Sequence, residues 1–315
     1  LERVHQKGYN FDDAHKRVPG PHLEAIDSEL PEFTKAARAA FGWDRWDEEY
    51  IKALADKGAE PIASLGFDGQ LPALKPEKPN LAEFFRETVA VVTNPAIDRE
   101  REIEHFSTRA LLGRRPLPGT SDGNSVDILT PVLAVTRAVA EAHGTLTVAS
   151  LKAELKVSPL TPNMQAGESL DAALTRLKTS AAEAVQAGAE VLLLDDTALY
   201  ANGEAAIDIV LAAGALEAHL TETRNEAGIS LRRLTSVVVR SAQVRNLHDL
   251  MLLVGLGAEA VEPAAAYALY PTPEAESRLV AGFTKGVEKV MSTMGIHELR
   301  GYGQIFAALG LSRDL

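Results

Sequence analysis

The sequence predicts an α/β chain in which parallel strands alternate with helices, behind a helical and irregular N-terminal segment. Three observations predict it. From residue 145 onward, short apolar runs alternate with helical patterns long enough to serve as the crossovers that parallel strands require. Val191-Leu192-Leu193-Leu194 is a continuous apolar run, as a strand covered on both faces must be. At 315 residues, 46% hydrophobic and 24% charged, the composition is that of a globular chain long enough to bury a core, which excludes a disordered or fibrous protein.

The elements follow in order. Residues 1 to 31 are rich in Pro, Gly, His and charge without a sustained period, and read as a linker or a segment that a partner orders. Phe33 to Phe41 is an Ala-rich helix ending before Gly42, and Asp47 to Lys57 an amphipathic one ending at Gly58. Pro61 to Pro79, punctuated by Gly66, Gly69, Pro72 and Pro76, is a structured loop or a crossing strand, because no helix survives that spacing. Asn80 with Glu83 is a capping-box start for a helix whose Leu81, Phe84, Phe85, Thr88 and Val91 share a face. Asp98 caps a charged helix through Leu112, closed by Gly113, and Pro116 to Asn124 is a loop of turn residues. Thr130-Pro131 starts a helix that runs to His143-Gly144.

The alternation then begins. Thr145 to Val148 is a short strand, and Glu168 to Ala187 is a helix closed by Gly188, with Leu170, Leu174, Leu177, Ala181 and Ala184 at helical spacing. Strands at Val191–Leu194, Ser236–Val239 and Ala260-Val261 are separated by helices at Glu204–Thr221 and Asn246–Leu256. A last helix spans Glu274 to Ser292.

Charge and composition exclude several function classes. A net charge of −12 repels phosphate backbones and anionic lipid, so neither nucleic acid nor a membrane surface is an expected partner. Zero cysteines rules out disulfides, Cys-ligated zinc, a thiol nucleophile and an iron–sulfur cluster bound by this chain, and fits a reducing cytoplasm. Residues 1 to 20 lack the apolar centre of a signal peptide, and no apolar stretch approaches a membrane span. The first residue is Leu, not Met, so a piece of a longer polypeptide is expected.

Candidate chemistry collects at strand ends, where α/β proteins place their working residues. Asp195-Asp196 follows the buried run and could hold Mg²⁺; the plainer reading is that one carboxylate caps a turn and the other meets solvent. Arg240 ends the next strand, and Arg245 and His248, three residues apart on one helix face near its positive end, could receive an anion. The plainer reading there is an arginine paired with Asp195, Asp196 or Asp249 and a histidine packed in an interface. Gly255-Leu256-Gly257 closes a helix and precedes a strand, the reverse of a dinucleotide loop. No pair of histidines stands at metal-ligand spacing with a carboxylate partner, and there is no nucleophile elbow.

Several stretches resemble the large subunit of glutamate synthase. Glu60-Pro61-Ile62-Ala63-Ser64-Leu65-Gly66-Phe67-Asp68 is similar to that family's Glu-Pro-x-x-Ser-Met-Gly-x-Asp, and Val91 to Glu100 to its Val-Thr-Asn-Pro-Pro-Ile-Asp-Pro-x-Arg-Glu run. Val191 to Asp196 resembles its strand ending in Ser-Asp-Arg. Ser236 to Pro263 resembles its strand–helix–strand around Arg-Glu-x-His and Gly-x-Gly-Ala-x-Ala-x-Asn-Pro. The resemblance covers Phe41 to Leu311 and implies the family's central domain, whose fold is an incomplete, non-catalytic relative of a flavin (β/α)₈ barrel. The four strand candidates agree, since a closed barrel needs eight. It implies a division into a linker at 1–40, a central domain at 41–271 and a helical tail at 272–315 that is similar to the start of the FMN domain. Within that tail Met291 and Ser292 fall on the family's Lys-x-Met-Ser-x-Met-Gly-Ile pattern and are the candidate flavin contacts. His297 stands where the family has Ser, and Gly301-Tyr302-Gly303-Gln304 lacks its Arg and Ala, which implies no intact flavin contact from this tail. FMN and an iron–sulfur cluster are then expected in the parent enzyme, not in this chain. The partners expected are the amidotransferase and FMN domains.

Overall fold

In the computed structural model, which describes residues 15–17, 30–61, 80–88, 98–116, 123–303 and 306–308, the elements run as follows. First come β1 (His15–Arg17), α1 (Lys35–Ala40), α2 (Arg45–Lys57), β2 (Phe85–Glu87), α3 (Arg99–His105) and the hairpin strands β3 (Ala110–Arg114) and β4 (Asn124–Ile128). Next are α4 (Arg137–His143), α5 (Val148–Glu154), β5 (Val157–Leu160), α6 (Leu170–Gln186), β6 (Val191–Asp195), α7 (Thr197–Asn202) and α8 (Ile209–Glu222). The chain then forms β7 (Ser236–Ser241), α9 (Leu247–Gly255), β8 (Ala258–Pro263), α10 (Ala264–Leu269), α11 (Pro273–Met294) and β9 (Phe306–Ala308).

Strands β5, β6, β7 and β8 pair in that order as one parallel sheet. The parallel pairing continues past β8: Val132 bridges Val261, and Ala134 bridges Thr147. The Leu133 amide donates to Val261 O and the Ala134 amide to Leu146 O, both at 3.0 Å. Six parallel segments therefore follow one another around a curved wall, and among the described residues no pairing joins 145–147 to β5. The result is an incomplete (β/α) barrel-like sheet, open at one seam. At that seam the Val191 amide donates to Lys156 O, so alternate residues 158 and 160 face β6 while Val157 and Pro159 face outward.

Alternation along the strands builds two cores. Leu192, Leu194, Val237, Val239 and Val261 point to the helices, in the larger cluster that includes Leu216, Leu253 and Phe283. Val191, Leu193, Val238 and Ala260 point to the inner side, together with Leu133 and Leu146. The hairpin closes that side at the amino-terminal ends of the strands, with Ala110, Leu112, Val126 and Ile128 packed inward. Gly113 N–H donates to Ser236 Oγ at 3.0 Å, and that hydroxyl lies 3.1 Å from Gly113 O, fastening the hairpin to the foot of β7.

Helix ends behave as their sequences dictate. Asp44 and Asp47 form a capping box at the start of α2, and Gly58 ends it in the left-handed conformation. The helices predicted near 168–187, 246–256 and 274–292 are α6, α9 and α11. The one predicted at 204–221 begins later, at Ile209, and the short α7 precedes it.

Four readings are corrected. The helix predicted from Asn80 is a single 3-10 turn, Leu81–Phe84, although Glu83 does accept from the Asn80 amide at 3.0 Å; Phe85 then enters β2, paired antiparallel with β9. The helix predicted from Asp98 to Leu112 stops at His105, because Ala110-Leu111-Leu112 is recruited into β3 against β4. The helix predicted from Thr130 begins only at Arg137, since 130–135 is drawn out alongside β8; Gly144 closes it as predicted. Thr145 to Val148 contributes one bridge and passes into α5, which was not predicted, nor was β5. The loop at 62–79, the Val91–Ile97 part of the Thr-Asn-Pro run and nearly all of residues 1 to 29 lie outside the described residues.

Candidate functional site

The carboxyl ends of β6, β7 and β8 bring Asp195, Arg240 and Glu262 into direct cross-strand register. All three share the parity of Leu193, Val238 and Ala260, so they stand on the inner face at the mouth of the curved wall. Arg240 Nε donates to Glu262 Oε1 at 2.8 Å, and its guanidinium reaches Asp195 Oδ2 at 3.6 Å. Asp195 Oδ1 accepts from the Thr197 hydroxyl at 2.6 Å and the Thr197 amide at 2.9 Å. Glu262 is fully buried, and its Oε2 has no hydrogen-bond partner among the described residues. Burial pushes the Glu262 carboxyl up to about 7, against the pull of Arg240.

Asp196, one residue past the end of β6 and directly before α7, belongs to a different set of partners. It is fully buried and accepts from the Ser241 hydroxyl at 2.6 Å, the Ala242 amide at 2.8 Å and Gln243 Nε2 at 3.0 Å. Burial nonetheless pushes its carboxyl up to about 6. The two adjacent aspartates thus belong to separate clusters and do not converge on one point. No group of three His, Asp or Glu side chains that could hold a metal occurs among the described residues.

Arg245 and His248 also part company. Arg245 is buried and makes two side-chain bonds to Asp249, 2.8 and 3.0 Å long, so the arginine predicted to receive an anion is held by its own helix. His248 Nε2 lies 3.0 Å from Ala82 O, and its ring meets Phe306 edge-on at 6.0 Å. Arg240, Arg245 and His248 therefore do not form one pocket. Met291 and Ser292 are buried within α11, with Met291 in the main core. Met291 is fully buried and Ser292 nearly so.

Sequence reasoning missed two glutamates. Glu262 stood before Pro263 and read as the end of a strand; the available signal was a lone acid directly after an apolar run. Glu276, buried on α11, accepts from the Val135 amide at 2.7 Å and the Thr136 amide at 2.9 Å. Its partners lie 140 and 141 residues away, so no local pattern marks it. Taken together, the mouth of the wall holds a cross-strand ion cluster of Asp195, Arg240 and Glu262 that leaves one buried carboxylate oxygen without a partner among the described residues.

Among the described residues no helix is long and apolar enough to cross a membrane. A family model described as the glutamate synthase central domain matches residues 36–312. The glutamate synthase [NADPH] large chain of Bacillus subtilis (strain 168) is 32% identical over 312 residues, covering 94% of this chain and 20% of the relative. The chloroplastic ferredoxin-dependent glutamate synthase of Spinacia oleracea is 30% identical over 306 residues, covering 88% and 18%. The chain thus spans about a fifth of the length of the curated relatives it matches. Among solved structures, a mandelate oxidase variant with 2-hydroxy-phenylacetamide is 12% identical, with 90% of this chain and 100% of that chain covered at a TM-score of 0.44.

Proposed function

The chain belongs to the glutamate synthase central-domain family, and from that premise we propose that it is the non-catalytic connecting body of a glutamate synthase large subunit. In this reading it holds an amidotransferase domain and an FMN domain at a set distance and borders the path that ammonia takes between them. The parent reaction would convert L-glutamine, 2-oxoglutarate and reductant into two L-glutamate in the cytoplasm. FMN and an iron–sulfur cluster would be carried outside this chain. We place the central domain at 41–271, an N-terminal extension at 1–40, and the start of the FMN domain at 272–315.

The observation that carries the reading is the ion cluster of Asp195, Arg240 and Glu262. At the end of the wall where such folds keep their reacting groups, the charged side chains are spent on one another. That arrangement favours stiffness over substrate binding. The hairpin packed into the opposite end supports the same role.

The test is direct. The purified chain is expected to be colourless and to turn over neither glutamine nor 2-oxoglutarate. A flavin absorbance band at stoichiometric level refutes the reading. The rival is an independent enzyme or binding module with an anion or metal site drawn from Asp195, Asp196, Arg240, Arg245 and His248, favoured by the open Glu262 Oε2 at that mouth. Calorimetric titration with Mg²⁺ separates them: saturable binding that disappears in Asp195→Asn establishes the rival.

A further inference from the structure

At the opposite end of the parallel wall from the ion cluster lies a cleft of about 480 Å³, between the hairpin, the feet of β7 and β8, and residues 299–303. Five arginines line it against two glutamates, in a chain whose net charge is −12. The two glutamates are already committed. Arg232 bonds to Glu217 and donates to Glu259 Oε1 at 2.8 Å, while Glu259 Oε2 accepts from the Val237 amide at 2.8 Å. Arg232 also donates to the carbonyls of Thr235 and Gly257, so four hydrogen bonds hold its guanidinium in place.

The other four guanidiniums are exposed around the cleft. Arg109 bonds to Asp127, Arg300 lies 3.6 Å from Glu298, and among the described residues Arg115 makes only a 3.5 Å contact with the already occupied Glu259. Arg233 has no ion pair among the described residues. Each guanidinium carries five donors, and among the described residues the four carboxylates at the cleft and its rim cannot fill them. A concave site with one sign of charge in excess draws counter-ions, and the arginine fork matches carboxylate and phosphate groups two bonds at a time. The volume falls within the usual size of small-molecule sites.

We propose that this cleft binds a small polyanion carrying two or more phosphate or carboxylate groups. The proposal does not depend on the connecting role argued above. It takes Arg115 and Arg233 as the ligand-contacting cations, and Arg232 with Glu217 and Glu259 as their fixed support. Isothermal titration of the 315-residue chain at low ionic strength, with inorganic pyrophosphate in one arm and citrate in the other, tests it. One-to-one saturable binding is expected in at least one arm, and the arm that binds tells phosphate from carboxylate. Arg115→Ala and Arg233→Ala are each expected to weaken binding by about 10-fold, as loss of a charge-assisted hydrogen bond does. Arg45→Ala, at an exposed arginine outside the cleft that pairs with Glu49, should leave it unchanged. Absence of saturable binding in both arms overturns the proposal, as does equal weakening by Arg45→Ala, which would mean diffuse attraction to the surface.

Discussion

At the scale of single residues, two buried carboxyls work against the usual acid lability of proteins. Folding raises Asp196 from 3.8 to about 6 and Glu262 from 4.5 to about 7, in both cases chiefly through burial. The folded state therefore holds more protons than the unfolded one between those limits. Their contribution is fully present below the unfolded values and is lost as pH rises through about 6 and about 7. For Glu262 the loss is about 3 kcal/mol at the usual 1.4 kcal/mol per pKa unit. Thermal denaturation of the native chain should show Tm falling between about pH 4 and about pH 7, and Glu262→Gln should flatten that fall. An identical slope in the variant would remove Glu262 from the account. Of the charged site residues, Asp195, Asp196, Arg240 and Arg245 were legible, because they sit at or just past strands that apolar runs announce. Their pairings were only partly so. That Arg245 would meet Asp249 was among the alternatives at helical spacing, but Glu262 as the partner of Arg240 depends on the register between β7 and β8, which no local pattern sets.

Elements whose signal is local came through, and those that depend on a distant partner did not. Helices α2, α6 and α11 carry caps and a sustained period, and each lies where its residues place it. The charged run after Asp98 keeps helical character only to His105. The following Ala110-Leu111-Leu112 is taken by β4, and Gly113 is not a helix stop but a strand residue with φ +109. A Cβ there would lie 2.3 Å from Asn124 O and 3.1 Å from the Ser125 Cα, both on the partner strand. Gly113→Ala must therefore part the hairpin as well as strain the backbone, and a loss above roughly 2 kcal/mol is expected. Gly188 has φ +93 with nothing within 4 Å, so Gly188→Ala meets backbone strain alone. Urea denaturation of the two variants checks the order; a greater loss at Gly188 contradicts the assignment of the hairpin as a tightly fitted closure.

For the whole molecule, one sheet is the common wall of both cores, with Leu192 and Leu194 on one side and Leu193 on the other. Neither core can dissolve without exposing the far side of the same strands. The N-terminal helices are tied in as well, since Trp43 Nε1 donates to Ala242 O at 2.7 Å, just beyond β7. Unfolding followed by tryptophan fluorescence and by far-ultraviolet circular dichroism should give coincident transitions. Two separated midpoints would show that the N-terminal helices and the sheet are independent units. An unclosed wall poses a hazard of its own, because a bare strand border invites neighbouring chains to add to it. On one side of the gap that border is β5, and its outward position 159 is a proline, which has no amide hydrogen to offer. The gap is thereby sealed chemically rather than sterically: a second copy finds an interrupted row of donors, and the fold can stay unfinished without becoming a template for fibrils.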